Sequence, residues 1–330
     1  MWKKSPGGIF ATGVVLNLIL LPAAMSAGKE RIDPDNFAAG GSASAVAAPS
    51  EETENTSADA VKYLLRYKFS DGDVIRYRSE KVAEQSLVVA GYKKTDRTRV
   101  EQIRRFQVSG LEATGQANLV MQYESVIMSR QVDDGEPVVF RSDMKRSEIP
   151  ALFAGFADKL RGNAPKFAVM PTGVPRDDDG RIILPDQDPP GEKKEQPETR
   201  FMLPLPDSSL AVGDTWRYIT RVKVRVTTEI AREIQLLTTC RLASVVDGIA
   251  RIRFSTSPLG RLKSVTERTQ LVSAMPRGYC LMDIEKGRIT KRVIRNSSSV
   301  HGVQGPQTLL TYSSDSIEEL MTPRPRVVQR

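Results

Sequence analysis

What most narrows the fold of this chain is a period-two alternation of apolar and polar residues that recurs along most of its length. In 215–228, Trp216, Tyr218, Val222, Val224 and Val226 fall on one face, while Arg217, Arg221, Lys223 and Arg225 fall on the other. Successive side chains of an extended strand point to opposite faces, so this spacing predicts a strand with one buried and one wet side. The same stripe runs through Tyr63, Leu65, Tyr67 and Phe69, through Ala117, Leu119, Met121 and Tyr123, through Ile234, Leu236, Cys240 and Leu242, and through Ala250, Ile252 and Phe254. One-sided strands in close succession predict antiparallel sheets and leave little room for the crossover helices of an α/β fold. One segment departs from the pattern, because Ile149, Leu152, Phe153, Phe156 and Leu160 recur at helical spacing. Ser147 as N-cap, Pro150 in the first turn and Gly162 with Asn163 as the stop predict an amphipathic helix over 147–162 that covers the first sheet.

The folded part divides in two. Pro185, Pro189, Pro190 and Pro197 alternate with charges, which marks 185–200 as a linker between 61–184 and 201–322 and leaves 323–330 as a tail. Gly72-Asp73-Val74-Ile75-Arg76-Tyr77 matches Gly213-Asp214-Thr215-Trp216-Arg217-Tyr218 at four of six positions, and Gly115-Gln116-Ala117 corresponds to Gly248-Ile249-Ala250. A third echo sets Gly180-Arg181-Ile182 against Gly287-Arg288-Ile289. The first two offsets, 141 and 133 residues, differ by no more than a hairpin absorbs; the third, 107, leaves the helix-bearing insert without a counterpart. The expectation is a mainly β protein of two related antiparallel halves, curved as half-barrels or stacked as a sandwich, with one helix in the first half. Convergent turn chemistry is the alternative, since Gly-Asp is a good turn in any hairpin.

The N-terminus reads as an export signal. Lys3 and Lys4 precede an apolar stretch over 9–24, and the small residues Ala24, Ser26 and Ala27 offer a cleavage site near 27. Thr12, Gly13 and Asn17 interrupt that stretch, which falls short of the roughly 20 apolar residues of a spanning helix. Residues 28–60, with Ile32, Phe37 and Val46 as their only large apolar side chains, read as a flexible leader. The expected setting is the periplasm or the extracellular envelope, with no transmembrane segment after cleavage. The formal charge of +8 falls to +6 without the signal, a balance that favours encounter with anionic polymers or lipid surfaces. An aromatic content of 6% supplies few stacking platforms, which argues against specific nucleic-acid binding.

Catalytic constellations are sparse. His301 is the single histidine, so a two-histidine metal site is excluded, and no Gly-x-Ser-x-Gly elbow occurs. Ser142 and Lys145 form a Ser-x-x-Lys string without its usual companions. Asp177, Asp178 and Asp179 before Gly180 lack the alternating ligands of a calcium loop and read as a solvated turn. No dinucleotide or phosphate-cradling glycine loop is present, and no cofactor, metal or catalytic residue is assigned. Cys240 and Cys280 are expected on adjacent strands with side chains on one face, either as a disulfide or as two buried thiols.

Signal, leader and two β-rich halves that each carry Gly-Asp-x-x-Arg-Tyr together resemble an uncharacterised family of exported two-repeat β-proteins of bacterial envelopes. More distantly, the pattern is similar to the half-open barrels of periplasmic lipoprotein carriers, which are single-unit folds. The resemblance implies no catalytic residue. It leaves a binding module or scaffold, with inward stripes packed as core or lining a cleft for an apolar or lipid-like ligand. A second reading has Arg76, Arg78, Arg217, Arg221, Lys223 and Arg225 forming a basic sheet face that grips a polyanion, against the plainer role of a solvated face. A hydrolase with an unrecognised site is the enzymatic alternative.

Overall fold

Alternation becomes strand pairing along most of the chain. The computed structural model describes residues 61–162, 164–176, 202–225 and 231–322. The signal, the leader, the 185–200 linker, the tail and the Asp177, Asp178, Asp179, Gly180 turn lie outside the described residues. The strands of the first half are β1 (Lys62–Tyr63), β2 (Val74–Val89), β3 (Tyr92–Leu111), β4 (Ala117–Val132), β5 (Val138–Arg141), β6 (Lys166–Val169) and β7 (Pro175–Arg176), with helix α1 (Ala154–Leu160) between β5 and β6. Those of the second are β8 (Leu210–Ala211), β9 (Thr215–Arg225), β10 (Ala231–Val246), β11 (Ile249–Pro258), β12 (Arg277–Asp283), β13 (Arg288–His301) and β14 (Thr308–Leu320), with helix α2 (Val265–Gln270) between β11 and β12.

One mainly antiparallel sheet runs in the order β7-β6-β4-β3-β2-β14-β13-β12-β11-β10-β9, with β5 beside β4, while β1 and β8 form a separate pair. The sheet is not closed, since β7 and β9 are its edges. The two sequence halves meet within it, because β14 pairs β2 from Thr308↔Val89 to Leu320↔Tyr77.

One face carries the core. Phe106, Leu119 and Met121 of the first half and Cys240, Leu242, Ile252 and Met282 of the second all point to it and are buried, as the alternation requires. Each such large side chain contributes about 1.5–3 kcal/mol by leaving water. The Tyr63, Leu65, Tyr67, Phe69 stripe departs from expectation, joining a sheet only through β1 and then crossing the core as an extended strap. Tyr67 donates its N–H to the Pro171 carbonyl (2.7 Å), and Lys68 donates to the Gly287 carbonyl (3.1 Å). The Tyr67 hydroxyl donates to the Leu203 carbonyl (3.1 Å) and accepts the Leu203 N–H (2.9 Å). The strap lies so close that a Cβ on Gly287, at φ +60°, would stand 2.5 Å from the Lys68 nitrogen.

The expected 147–162 helix is broken. Short 3₁₀ turns occupy Arg146–Glu148 and Ala151–Phe153, and only Ala154–Leu160 is α-helical. Ser147 makes no cap, and Ile149 and Pro150 are extended, the conformation favoured for a residue preceding proline and for a proline outside a helix interior. Phe153 and Ala157 still bury against Val100, Val126, Met128 and Phe140, so the helix covers β3, β4 and β5. Helix α2 was not foreseen, although Ser264 and Glu267 form a complete capping box at its start.

The Gly-Asp motif builds the same turn twice. The Asp73 carboxylate accepts the Ser70 N–H and the Asp214 carboxylate accepts the Ala211 N–H, each at 2.8 Å. Val108 donates to the Asp73 carbonyl (2.9 Å) as Leu242 donates to that of Asp214 (3.0 Å). Gly72 and Gly213 both take positive φ, +76° and +104°.

Candidate functional site

Two surfaces concentrate polar chemistry. The first is a belt across the middle of the core face, where β3, β2, β14 and β13 lie side by side. Gln102, Ser79, Glu318 and Arg292 form one cross-strand row, and Thr98, Ala83, Ser314 and Asn296 another, with Lys81 and Ser316 between them. Ser79, Ser314, Asn296, Arg292 and Glu318 are buried, whereas Lys81, Gln102, Thr98 and Ser316 are half-buried. Arg104 of β3 and Glu318 of β14 pair across β2 with little solvent around either. Asn296 is 5% exposed, and its Oδ1 accepts the Ser298 hydroxyl at 3.5 Å. Its buried Nδ2 has no hydrogen-bond partner among the described residues, a vacancy that costs about 1–3 kcal/mol.

Buried apolar clusters lie to either side of the belt, one under α1 and the other, of Val224, Ile234, Leu236 and Leu271, by α2. Beneath the strap, a cavity of about 10 Å³ bordered by Tyr67, Tyr77, Phe106 and Arg288 leaves room for roughly one water. Tyr77, at the end of the belt, is pushed up to about 12 by burial, against the pull of Arg292, Arg288 and Arg104. It is a neutral hydroxyl at any ordinary pH.

The second surface is the outer face. The six basic residues expected to share a patch do not form one. Arg76 pairs with Glu124 (2.8 Å) and Arg78 with Glu101 (3.8 Å) on the first half. Strands β14 to β10 separate them from β9, because equivalent positions of the two halves lie far apart in a single sheet. On β9, Arg221 pairs with Glu233 (3.4 Å), and Arg225 is held through its backbone by the Gln270 amide. Glu229, four residues beyond Arg225 in sequence, lies outside the described residues. Arg217 and Lys223 are exposed and make no ion pair with a described acid. The outer face also carries Arg241, Arg251, Arg253 and Arg277, which patterning of the single β9 strand did not reveal. The Arg-x-Arg spacing at 251–253 was the available signal.

The cysteines are free and buried on the core face, but β11 lies between them, with Phe254 opposite Cys240 and Ile252 opposite Cys280. The expectation of adjacent strands is thus corrected, and two strand spacings, about 9.6 Å, exceed the reach of a disulfide. The Ser142 hydroxyl accepts the Val126 N–H (3.0 Å), and His301 is exposed at the end of β13. No group of three or more metal-ligating side chains occurs among the described residues.

No protein-family model matches the chain, and no curated protein does. A weak structural match is to a DUF1329 family protein from Desulfovibrio piger, at 11% identity over 77% of this chain and 87% of that one, with a TM-score of 0.13. Similarity at that level does not establish a shared fold.

Proposed function

We propose that this chain is an exported, non-enzymatic binding module of a bacterial-type envelope, whose ligand surface is the polar belt of the core face. The observation that carries the reading is the Asn296 amide, a buried donor left unmet in the cross-strand row that also holds Ser314 and Thr98, with Lys81 in the next row two strands away. Donors there, with apolar clusters to either side, suit an amphipathic, lipid-like ligand whose head accepts hydrogen bonds. The unclosed sheet and the helix on its core face are in keeping with a curved half-barrel. The twice-built Gly-Asp turn is in keeping with a duplication of 61–184 in 201–322, in which Tyr77 and Tyr218 are equivalent inward positions.

The test is to purify the full chain from an envelope fraction, extract it with organic solvent and identify what co-purifies by mass spectrometry. Lipid should be recovered, and Asn296→Leu with Lys81→Met should lower its occupancy about tenfold while circular dichroism stays unchanged. No lipid on the wild type, or equal lipid on the variant, would leave the scaffold reading in its place.

A further inference from the structure

The outer face is uneven in a way the fold does not require. From β13 through β14 and β2 to β3, most of its cations meet carboxylates: Lys291 with Glu319, Arg295 with Asp315, Arg78 with Glu101, Arg97 with Glu84, and Arg99 with Glu80, Arg105 and Lys93 being the exceptions among the described residues. From β9 to β12 only Arg221 does so among the described residues, with Glu233. Arg217, Arg241, Arg251, Arg253 and Arg277 are all exposed, and none pairs with a carboxylate among the described residues. Arg241 stands directly opposite Arg253, an arrangement that destabilises a sheet unless something else supplies the negative charge. Arg251 lies over the Tyr279 ring, 4.5 Å from its centroid, which fixes one guanidinium at the middle of the group.

The five arginines extend over four neighbouring strands, about 14 Å across. Beside them on the same face are Ile219 (43% exposed) and Leu259 (49% exposed), with Leu237 between. A linear polyanion would be gripped by charge alone and has no use for exposed branched apolar side chains. A bilayer surface uses both, since phosphate headgroups meet guanidinium groups while short apolar side chains enter the acyl boundary. We infer that the outer face of β9 to β12 is a docking surface for a membrane containing anionic lipid.

The experiment is sedimentation of the full chain with vesicles of phosphatidylcholine containing about a third phosphatidylglycerol, against vesicles of phosphatidylcholine alone. The anionic vesicles should be bound, with affinity falling steeply as salt rises. Arg241→Gln with Arg253→Gln should weaken binding about thirtyfold. Lys291→Gln with Arg295→Gln removes the same net charge from the paired part of the face and should weaken it less than about threefold. Leu259→Ser with Ile219→Ser should weaken binding without changing its salt dependence. Equal losses from the two charge pairs would mean that net charge alone acts. Retention on heparin with no vesicle binding would assign the face to a polymer. Either result overturns the inference, and far-ultraviolet circular dichroism of each variant confirms that it is folded.

Discussion

Arg104 and Glu318 belong to strands that do not touch, and they pair diagonally across β2, where Arg104 stands opposite Tyr77 and Glu318 opposite Ser79. The pair therefore links the two sequence halves through side chains, as the β2–β14 ladder does through the backbone. Removing one partner strands a buried charge, so Glu318→Leu should cost about 3–5 kcal/mol in urea unfolding, whereas Arg104→Met with Glu318→Leu should recover most of that loss.

Burial alone would raise the Glu267 carboxyl, but the Lys263 and Ser264 N–H groups and the Arg232 guanidinium (2.7 Å) hold it below the usual carboxylate range. A depressed folded value means that its stabilisation is complete above the unfolded value, near 4.3, and is lost as pH falls through the folded one. Glu267→Gln should therefore lower Tm at pH 7, and the gap to the wild type should close progressively below pH ~4 in matched thermal melts.

Gly287 and Gly91 both have positive φ, but only Gly287 touches the strap. Gly91→Ala, which meets open space, should cost about 1 kcal/mol. Gly287→Ala must also displace the backbone of Lys68, and should cost at least ~2 kcal/mol more. Faster amide exchange at Tyr67 and Lys68 in that variant would show that the strap has lifted.

Burial pushes the Cys240 thiol up to about 12, and the Cys280 thiol also rises, though Arg292 opposes it. Neither should react with iodoacetamide at pH 8 in the folded protein, and both should react in guanidinium. Intact mass after oxidising purification should show two free thiols.

The sequence carried this fold unevenly, for physical reasons. The Trp216, Tyr218, Val222, Val224 face is legible because strand parity is local, and burial on one side forces it. The Tyr67 stripe has the same parity yet forms a strap, since pairing depends on which backbone lies alongside, and no residue within 61–69 reports that. The interruption at Pro150 was readable from proline chemistry but yielded to the stronger apolar spacing around it. The polar belt was hidden altogether: Ser79, Lys81, Ser314 and Asn296 look like ordinary wet positions until β2 is set beside the β13 and β14 pair from the far end of the chain. The basic cluster was missed for the same reason, because Arg241 and Arg253 become neighbours only across a hairpin.

The strand order has a consequence for how the molecule is made. Read across the sheet, the path runs from β9 to β14 and then from β2 to β7, so the last long strand synthesised is the inner neighbour of the first. Until β14 arrives, β2 presents sixteen residues of unpaired edge, an aggregation hazard in any chain that lingers half made. A truncation ending before Thr308 would open the sheet at its centre while leaving every earlier strand in place.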